Sequence, residues 1–331
     1  TMAVSIEDIK KLREMSGAGL GDCKKALAEA NGDMDAAMEI IRKKGQAVAA
    51  KRSDRSASEG CVLAKAENGF AAIIALKCET DFVAKNADFV ALAESILNAA
   101  VANKCKSLAE VLALPMGGTT IAEAVTDRSG ITGEKMELDG YNWLEGENIS
   151  TYNHQNKNFL CTMVQLNKAN EEVGHELTLK VAETAPVALD EAAVPQEVKD
   201  TELKVAIEKT KEEQVRKAVE AALKKAGINP AHVDSEDHME SNMGKGWITA
   251  EDVAKAKEII ATVSAEKAAN LPEQMVQNIA KGRMAKFFKE NCLVSQEVEV
   301  GTEKMTVADY LKSVDKELAV VGFKRFTLRA E

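Results

Sequence analysis

An asparagine–glycine pair between two apolar runs fixes the middle of this chain. Cys61-Val62-Leu63-Ala64-Lys65-Ala66 precedes Asn68-Gly69, and Ala71-Ala72-Ile73-Ile74-Ala75-Leu76 follows it. Asn-Gly readily supplies the two positive-φ residues of a tight hairpin turn, so the two runs read as antiparallel strands. On either side of this hairpin the apolar residues recur at helical spacing. The fold class is therefore α+β.

Residues 4–45 read as three short helices. Ser5 caps the first, with Asp8 three positions on, and Ile6, Ile9, Leu12 and Met15 give it an apolar face. Gly17-Ala18-Gly19 interrupts the chain. Asp22 opens the second helix, whose inner face is Cys23, Ala26, Leu27 and Ala30. Asn31-Gly32-Asp33 is a turn with a cap built in, Met34, Ala37, Met38 and Ile41 form the third stripe, and Gly45 suits its C-terminal cap. The triplet Gly17-x-Gly19-x-Gly21 has the look of a dinucleotide fingerprint, but such a fingerprint follows a strand and opens a helix. Here it lies between two helices and reads as a turn. The organisation is a three-helix module over 1–46 and a small, polar, locally basic linker over 47–59.

After the hairpin comes Glu79-Thr80-Asp81-Phe82-Val83-Ala84-Lys85-Asn86, at the junction with a helix that runs to about Lys104. That helix carries the stripe Phe89, Leu92, Ala93, Ile96, Leu97 and Ala100. Junction loops run at the surface, yet this one holds a phenylalanine in a chain that is 4% aromatic. Spacing alone leaves two readings of Phe82 open: the first core residue of the next helix, or a ring held out for a partner. Ser107 to Leu114 is a further helix, Pro115-Met116-Gly117-Gly118 stops it, Thr120 with Glu123 forms a capping box, and Lys135 to Leu144 reads as a third strand. The plan then repeats faintly. Ile149 to His154 and Phe159 to Leu166 are strands about a turn, followed by a loop and a helix to about Ala185. A shift of 89 positions lays Phe70 on Phe159 and Leu92-Ala93-Glu94 on Val181-Ala182-Glu183. The loop matching Thr80–Asn86 is Ala169–His175, which has no aromatic residue. A core ring needed in both copies would be present in both, so the asymmetry favours a special task for Phe82.

From Val194-Pro195 the composition turns to charge and alanine. Glu197 to Ala226 is one helix, ended by Gly227 and Pro230. Thr249 with Asp252 starts another, and Asn270 with Glu273 caps a third, with Pro272 in its first turn. These read as a helical hairpin, a coiled coil inserted over 195–290. Its turn holds His232-Val233-Asp234-Ser235-Glu236-Asp237-His238. A metal site needs fixed ligands and a supporting shell, which a polar interhelical loop does not offer. Cys292 to Val300 and Val320 to Leu328 then read as strands around a helix, Val307 to Val314. The core halves are thus 60–146, and 147–194 with 291–331.

Composition excludes several classes. The 331 residues, 45% apolar, suffice for more than one core. A net charge of −10 and the absence of a basic stripe argue against direct nucleic-acid binding and leave room for a protein partner with a basic surface. No apolar run approaches the roughly 18 residues of a membrane helix. Met2 looks like the natural start, without a secretory leader. Cys23, Cys61, Cys78, Cys105, Cys161 and Cys292 are scattered without a Cys-x-x-Cys, which suits reduced, buried thiols in a cytoplasmic protein. No P-loop and no nucleophile–base arrangement is present. The residues nominate no cofactor, no metal and no catalytic group.

Three stretches in order carry a resemblance. They are Leu12–Gly19 with Asp22–Leu27, Thr80-Asp81-Phe82-Val83-Ala84-Lys85-Asn86, and Gly282–Phe288 with Gly322-Phe323-Lys324-Arg325-Phe326. Together they resemble the elongation factor Ts family, guanine-nucleotide exchange factors of the GTPase elongation factor Tu. The resemblance implies an opening ubiquitin-associated-like module, two related core subdomains with antiparallel sheets, and a coiled-coil insertion. It implies elongation factor Tu as partner, in its GDP-bound and nucleotide-free forms, and leaves room for a homodimer through the helical insertion. It implies that Phe82, beside Thr80, Asp81 and Val83, wedges into the GTPase domain and disturbs the magnesium and phosphate site. It places Leu12, Arg13 and Leu20 of the first module against the same domain, and His154 against another. The family often has two large apolar residues where this chain has Leu20-Gly21. Some members continue into a further helical module beyond the last strand. The competing readings are a binding scaffold of another kind, and an enzyme, which would need a pocket of shifted titratable groups.

Overall fold

The structure, a computed structural model, describes residues 4–329; Thr1, Met2 and Glu331 lie outside them. It is a mixture of helices and antiparallel sheets, the α+β class that the alternation of periods implies. The described residues form two compact units, divided between Pro186 and Val187 and between Gln296 and Glu297.

The Ser5 hydroxyl caps α1 (Ile6–Ser16), accepting the Asp8 N–H at 2.9 Å and donating to the Asp8 carboxylate at 2.6 Å. Gly17 ends this helix with φ 67°, a conformation that favours glycine. Gly19 precedes α2 (Leu20–Glu29) without a side-chain cap, so the helix starts two residues before Asp22, at Leu20. Asp33 caps α3 (Met34–Lys51) through the Ala36 N–H. Leu12, Cys23, Leu27 and Ala37 fill the space between the three.

The hairpin forms as its turn requires. β1 (Glu59–Glu67) pairs antiparallel with β2 (Phe70–Cys78), Glu67 opposite Phe70, and Asn68 and Gly69 take φ 51° and 73°. There follow α4 (Asp81–Ala84), α5 (Ala87–Ala102), α6 (Leu108–Ala113), the short strands β3 (Pro115–Met116) and β4 (Thr119–Thr120), and α7 (Ile121–Thr132). The Thr120–Glu123 capping box forms. β5 (Glu137–Glu145) then completes a sheet of order β1-β2-β5.

Gly45, expected to end the third helix, sits inside α3, which runs on through part of the expected linker to Lys51. Ala47, Ala49 and Ala50 are strong helix formers that sustain it. The glycine has a packing reason: α3 crosses α7 where Gly45 meets Gly130, and a Cβ added at Gly130 would lie 2.1 Å from the Gly45 Cα.

A second hairpin, β6 (Ile149–Asn153) and β7 (Leu160–Leu166), leads into α8 (Glu171–Thr184). The 89-residue shift thus lays β1 on β6 and β2 on β7. The two sheets meet face to face: Val62, Ala71, Ile73 and Ala75 share one buried cluster with Cys161 and Met163. The opposite face of β2, with Phe70, Ile74 and Leu76, packs against Phe89, Ile96 and Ile121 of α5 and α7. Burial on both faces is why Ala71–Leu76 shows no polar alternation. Gly140 of β5 permits the close approach, since a Cβ there would lie 2.6 Å from the Ala75 Cβ and from the Phe326 ring.

The second unit is helical. It contains α9 (Gln196–Lys225), α10 (Glu236–Gly244), α11 (Ala250–Ala269) and α12 (Glu273–Asn291). Leu223 shares a core with Val253 and Ala256, Glu213 pairs with Arg283, and Val198 clusters with Phe288. α11 and α12 therefore run back along α9 in succession. Asn270 closes α11 and does not cap α12, which starts after Pro272 with no side-chain cap. The stretch read as a polar loop is folded: a 3₁₀ turn at Pro230–His232 precedes α10, which Ser235 caps through the His238 N–H. Val233 and Met239 reach the core with Ile228 and Ile248, an apolar pairing that the surrounding charges conceal. Among the described residues no group of three or more His, Cys, Asp or Glu could hold a metal ion.

The chain returns through a 3₁₀ turn, Leu293–Ser295, where a strand was expected from Cys292. β8 (Glu297–Val300) and β9 (Glu303–Thr306) pair, α13 (Val307–Val314) follows, and β10 (Val320–Thr327) joins the second sheet in the order β6-β7-β10. A short hairpin, a Thr-capped helix and a third strand (β3-β4-α7-β5, then β8-β9-α13-β10) therefore also recur. No helix among the described residues is long and apolar enough to cross a membrane.

Candidate functional site: an exposed phenylalanine on a braced turn

Phe82 is 84% exposed, the most exposed large apolar side chain among the described residues. It is not the first core residue of α5. The segment is a single helical turn, α4, between the end of β2 and the start of α5. One side of the turn faces inward, with Val83 and Ala84 packed on the main core. The other carries Phe82, flanked by Asp81 and Lys85, which form an ion pair at 2.6 Å. The hydrogen bond from the Lys85 ammonium holds the Asp81 carboxyl below the ordinary aspartate range.

The turn is held at both ends. At its start the Thr80 hydroxyl caps it, accepting the Val83 N–H at 3.4 Å and donating to Glu134 Oε1 at 2.6 Å. The N–H groups of Glu79 and Thr80 both donate to Glu134 Oε2 at 3.1 Å. The Glu79 carboxylate answers in the reverse direction. It accepts the Lys135 N–H at 2.6 Å and two hydrogen bonds from the Arg52 guanidinium at 3.0 and 3.1 Å. The Lys135 N–H, helped by Arg52, holds the Glu79 carboxyl below its usual range. At the far end Asn86 Oδ1 caps α5, accepting the Asp88 and Phe89 N–H groups and a hydrogen bond from Arg128 at 3.2 Å. Four of these partners, Arg52, Arg128, Glu134 and Lys135, lie far from the turn in sequence. Glu134 is 54 and 55 positions away from its donors, and no local pattern marks it.

The other candidate residues are scattered over the first unit. Arg13 and Leu20 are exposed, Leu20 by 49%. Ile6 and Met15 of α1 are exposed too, by 72% and 52%. Leu12 is corrected: it is fully buried between the three helices, so it holds the module together and offers no contact surface. His154 is half-buried in the turn after β6, its ring edge-on to both Tyr152 and Phe159 and its Nδ1 3.3 Å from the Tyr152 hydroxyl. Gln155, Asn156 and Asn158 all take positive φ, giving this turn a sharply specified path. All six cysteines are free and buried, and burial pushes the Cys61 and Cys161 thiols up to about 12. Burial shields them from solvent.

A surface built in this way can dock a ring into a partner. Comparison with known proteins identifies the family. A family model described as Elongation factor TS matches residues 79–330. The chain is 71% identical over 331 residues to an elongation factor Ts of Bacteroides fragilis, covering both chains in full. It is 70% identical over 330 residues to one of Phocaeicola vulgatus and 45% identical over 332 residues to one of Porphyromonas gingivalis, again over the full length of each. The chain belongs to the elongation factor Ts family.

Proposed function

We propose that this chain is the guanine-nucleotide exchange factor of elongation factor Tu in translation elongation, without chemistry of its own, and that the Thr80-Asp81-Phe82-Val83 turn is its working part. The mechanism is linkage. A partner that binds the nucleotide-free GTPase more tightly than its GDP form weakens GDP by the same factor. Phe82 is the wedge: it enters the GTPase domain, with Asp81 beside it, and displaces elements that hold the magnesium ion and the nucleotide phosphates. The observation that carries this reading is an 84% exposed phenylalanine on a turn whose other side is anchored in the core. Covering such a ring contributes roughly 1.5–3 kcal/mol, or about one to two decades of coupling at 1.4 kcal/mol per decade. Further contacts come from Arg13 and Leu20 on the first module and from the turn at His154.

The test is release of fluorescent GDP from elongation factor Tu, with the unaltered chain and with Phe82→Ala. The chain should accelerate release, and Phe82→Ala should cut the acceleration about tenfold or more. No acceleration by the unaltered chain would leave a binding scaffold in place of an exchange factor. Full acceleration by Phe82→Ala would keep the function and move its mechanism to the other contacts.

A further inference from the structure

We propose that Glu134 is a positioning residue for the Phe82 turn, acting through the Thr80 hydroxyl to hold the ring ready for docking. The inference rests on the exchange-factor reading for its effect on nucleotide release, though not for its effect on the turn.

The Thr80 hydroxyl has one proton. Glu134 Oε1 takes it at 2.6 Å, which leaves the oxygen's lone pairs free for the Val83 N–H of the helical turn. The same carboxylate engages the two preceding backbone N–H groups through its other oxygen. One side chain thus binds three donors at the point where β2 gives way to α4. Glu134 is itself fixed. Gly133 ends α7 with φ 73°, and Ser129, 1% exposed, donates its hydroxyl to the Glu134 carbonyl at 2.5 Å. A four-residue helix is far too short to persist alone in water. Its ring-out geometry therefore depends on this clamp and on Val83 and Ala84 beneath it.

Without the clamp, only a fraction of molecules would present the ring at any moment, and apparent affinity falls by that fraction. Once seated, the partner itself holds the ring. Loss of Glu134 should therefore raise the concentration needed for half-maximal exchange and leave the limiting rate unchanged. Loss of Phe82 should lower the limiting rate.

The experiment measures fluorescent-GDP release from elongation factor Tu against concentration of the full-length chain, for Glu134→Ala and Thr80→Val. Hydrogen exchange of each free chain is measured alongside. Glu134→Ala is expected to raise the half-saturating concentration about tenfold, the loss of one cap-sized interaction. It should speed amide exchange over residues 79–85 and leave β2 and α5 protected. Thr80→Val should share part of both effects. On a Phe82→Ala background Glu134→Ala should change release no further, because the clamp acts through the ring. An equal loss with and without Phe82 overturns the proposal, as does unaltered exchange over 79–85. If the unaltered chain releases no GDP, the exchange-factor reading falls. The amide exchange then decides the clamp alone: local loosening sustains it and none refutes it.

Discussion

Gly130→Ala and Gly45→Ala look like the same substitution, made on two helices at one crossing. The geometry predicts opposite outcomes. A Cβ at position 130 would stand 2.1 Å from the Gly45 Cα and 3.1 Å from the Gly45 N and C atoms. These are backbone atoms of α3 and cannot swing aside, so the helices must separate by about an ångström or more, normal carbon contacts being about 3.5–4.0 Å. A Cβ at position 45 meets only ordinary contacts, the nearest being the Gly130 Cα at 3.5 Å. Either alanine gains about 1 kcal/mol of helix propensity over glycine. At position 45 nothing opposes that gain, and the variant should be as stable as the parent or up to about 1 kcal/mol more so. At position 130 overpacking of about 1–3 kcal/mol opposes it, and the Arg42–Asp127 pair at 3.6 Å is stretched as well. The net effect should be a loss of up to about 2 kcal/mol at this contact. Urea unfolding and amide exchange of α3 and α7 in both variants measure it. Gly130→Ala more stable than the parent, or Gly45→Ala the worse of the two, would refute the reasoning.

Two other substitutions separate core from surface in the same module. Leu12→Ala should cost about 2–5 kcal/mol and loosen all three helices, as emptying a buried site does, whereas Leu20→Ala should leave thermal stability within about 0.5 kcal/mol; differential scanning calorimetry distinguishes them. Acid should release the base of the Phe82 turn. The Glu79 carboxyl is held below its usual range by the Lys135 N–H and Arg52, so its stabilising contribution is complete above the ordinary glutamate pKa and fades as pH falls through the lowered value. The Lys135 amide, followed by NMR at decreasing pH, should lose protection in that acid window and keep it at neutral pH, and Glu79→Gln should flatten the dependence.

Much of the fold was legible because its signals are local. Asn68-Gly69 needs positive φ whatever surrounds it, and the Thr120–Glu123 and Thr249–Asp252 boxes satisfy their own helix ends. The misreadings have two causes: contact across long separations, and local signals that fit more than one use. Gly45 has the residue type of a helix cap, yet its neighbour is Gly130, and nothing local tells the two uses apart. Asn270 fits a cap by spacing, but it closes the preceding helix. α10 was hidden because its few buried residues, among them Met239, are outnumbered by charged neighbours. Within the candidate site, the missing aromatic in the second copy pointed to Phe82 without any structure. The bracing was beyond sequence reasoning, since Glu134, Arg52 and Arg128 are ordinary surface residue types until the chain brings them to the turn. Leu12 shows the converse error: a motif was read as a contact where it marks a core.

The ends of the helical unit are joined in a way that bears on how such a chain can change length. Ala188 and Cys292 form a parallel bridge, and the N–H groups of Val187, Leu293 and Val294 donate to the carbonyls of Asn291, Ala188 and Leu189. Entry and exit are thus stitched together by the unit's own backbone. For a free loop of about 100 residues, closure entropy rises only as the logarithm of length; here the closure is made inside the unit. The join behaves as a splice point. Whole turns of α9 and its returning helices can be added or removed above it in matched pairs, while the sheets keep the same two attachment residues. A chain cut at Val187 and Gln296 and rejoined by a short glycine-rich link should still form both three-stranded sheets.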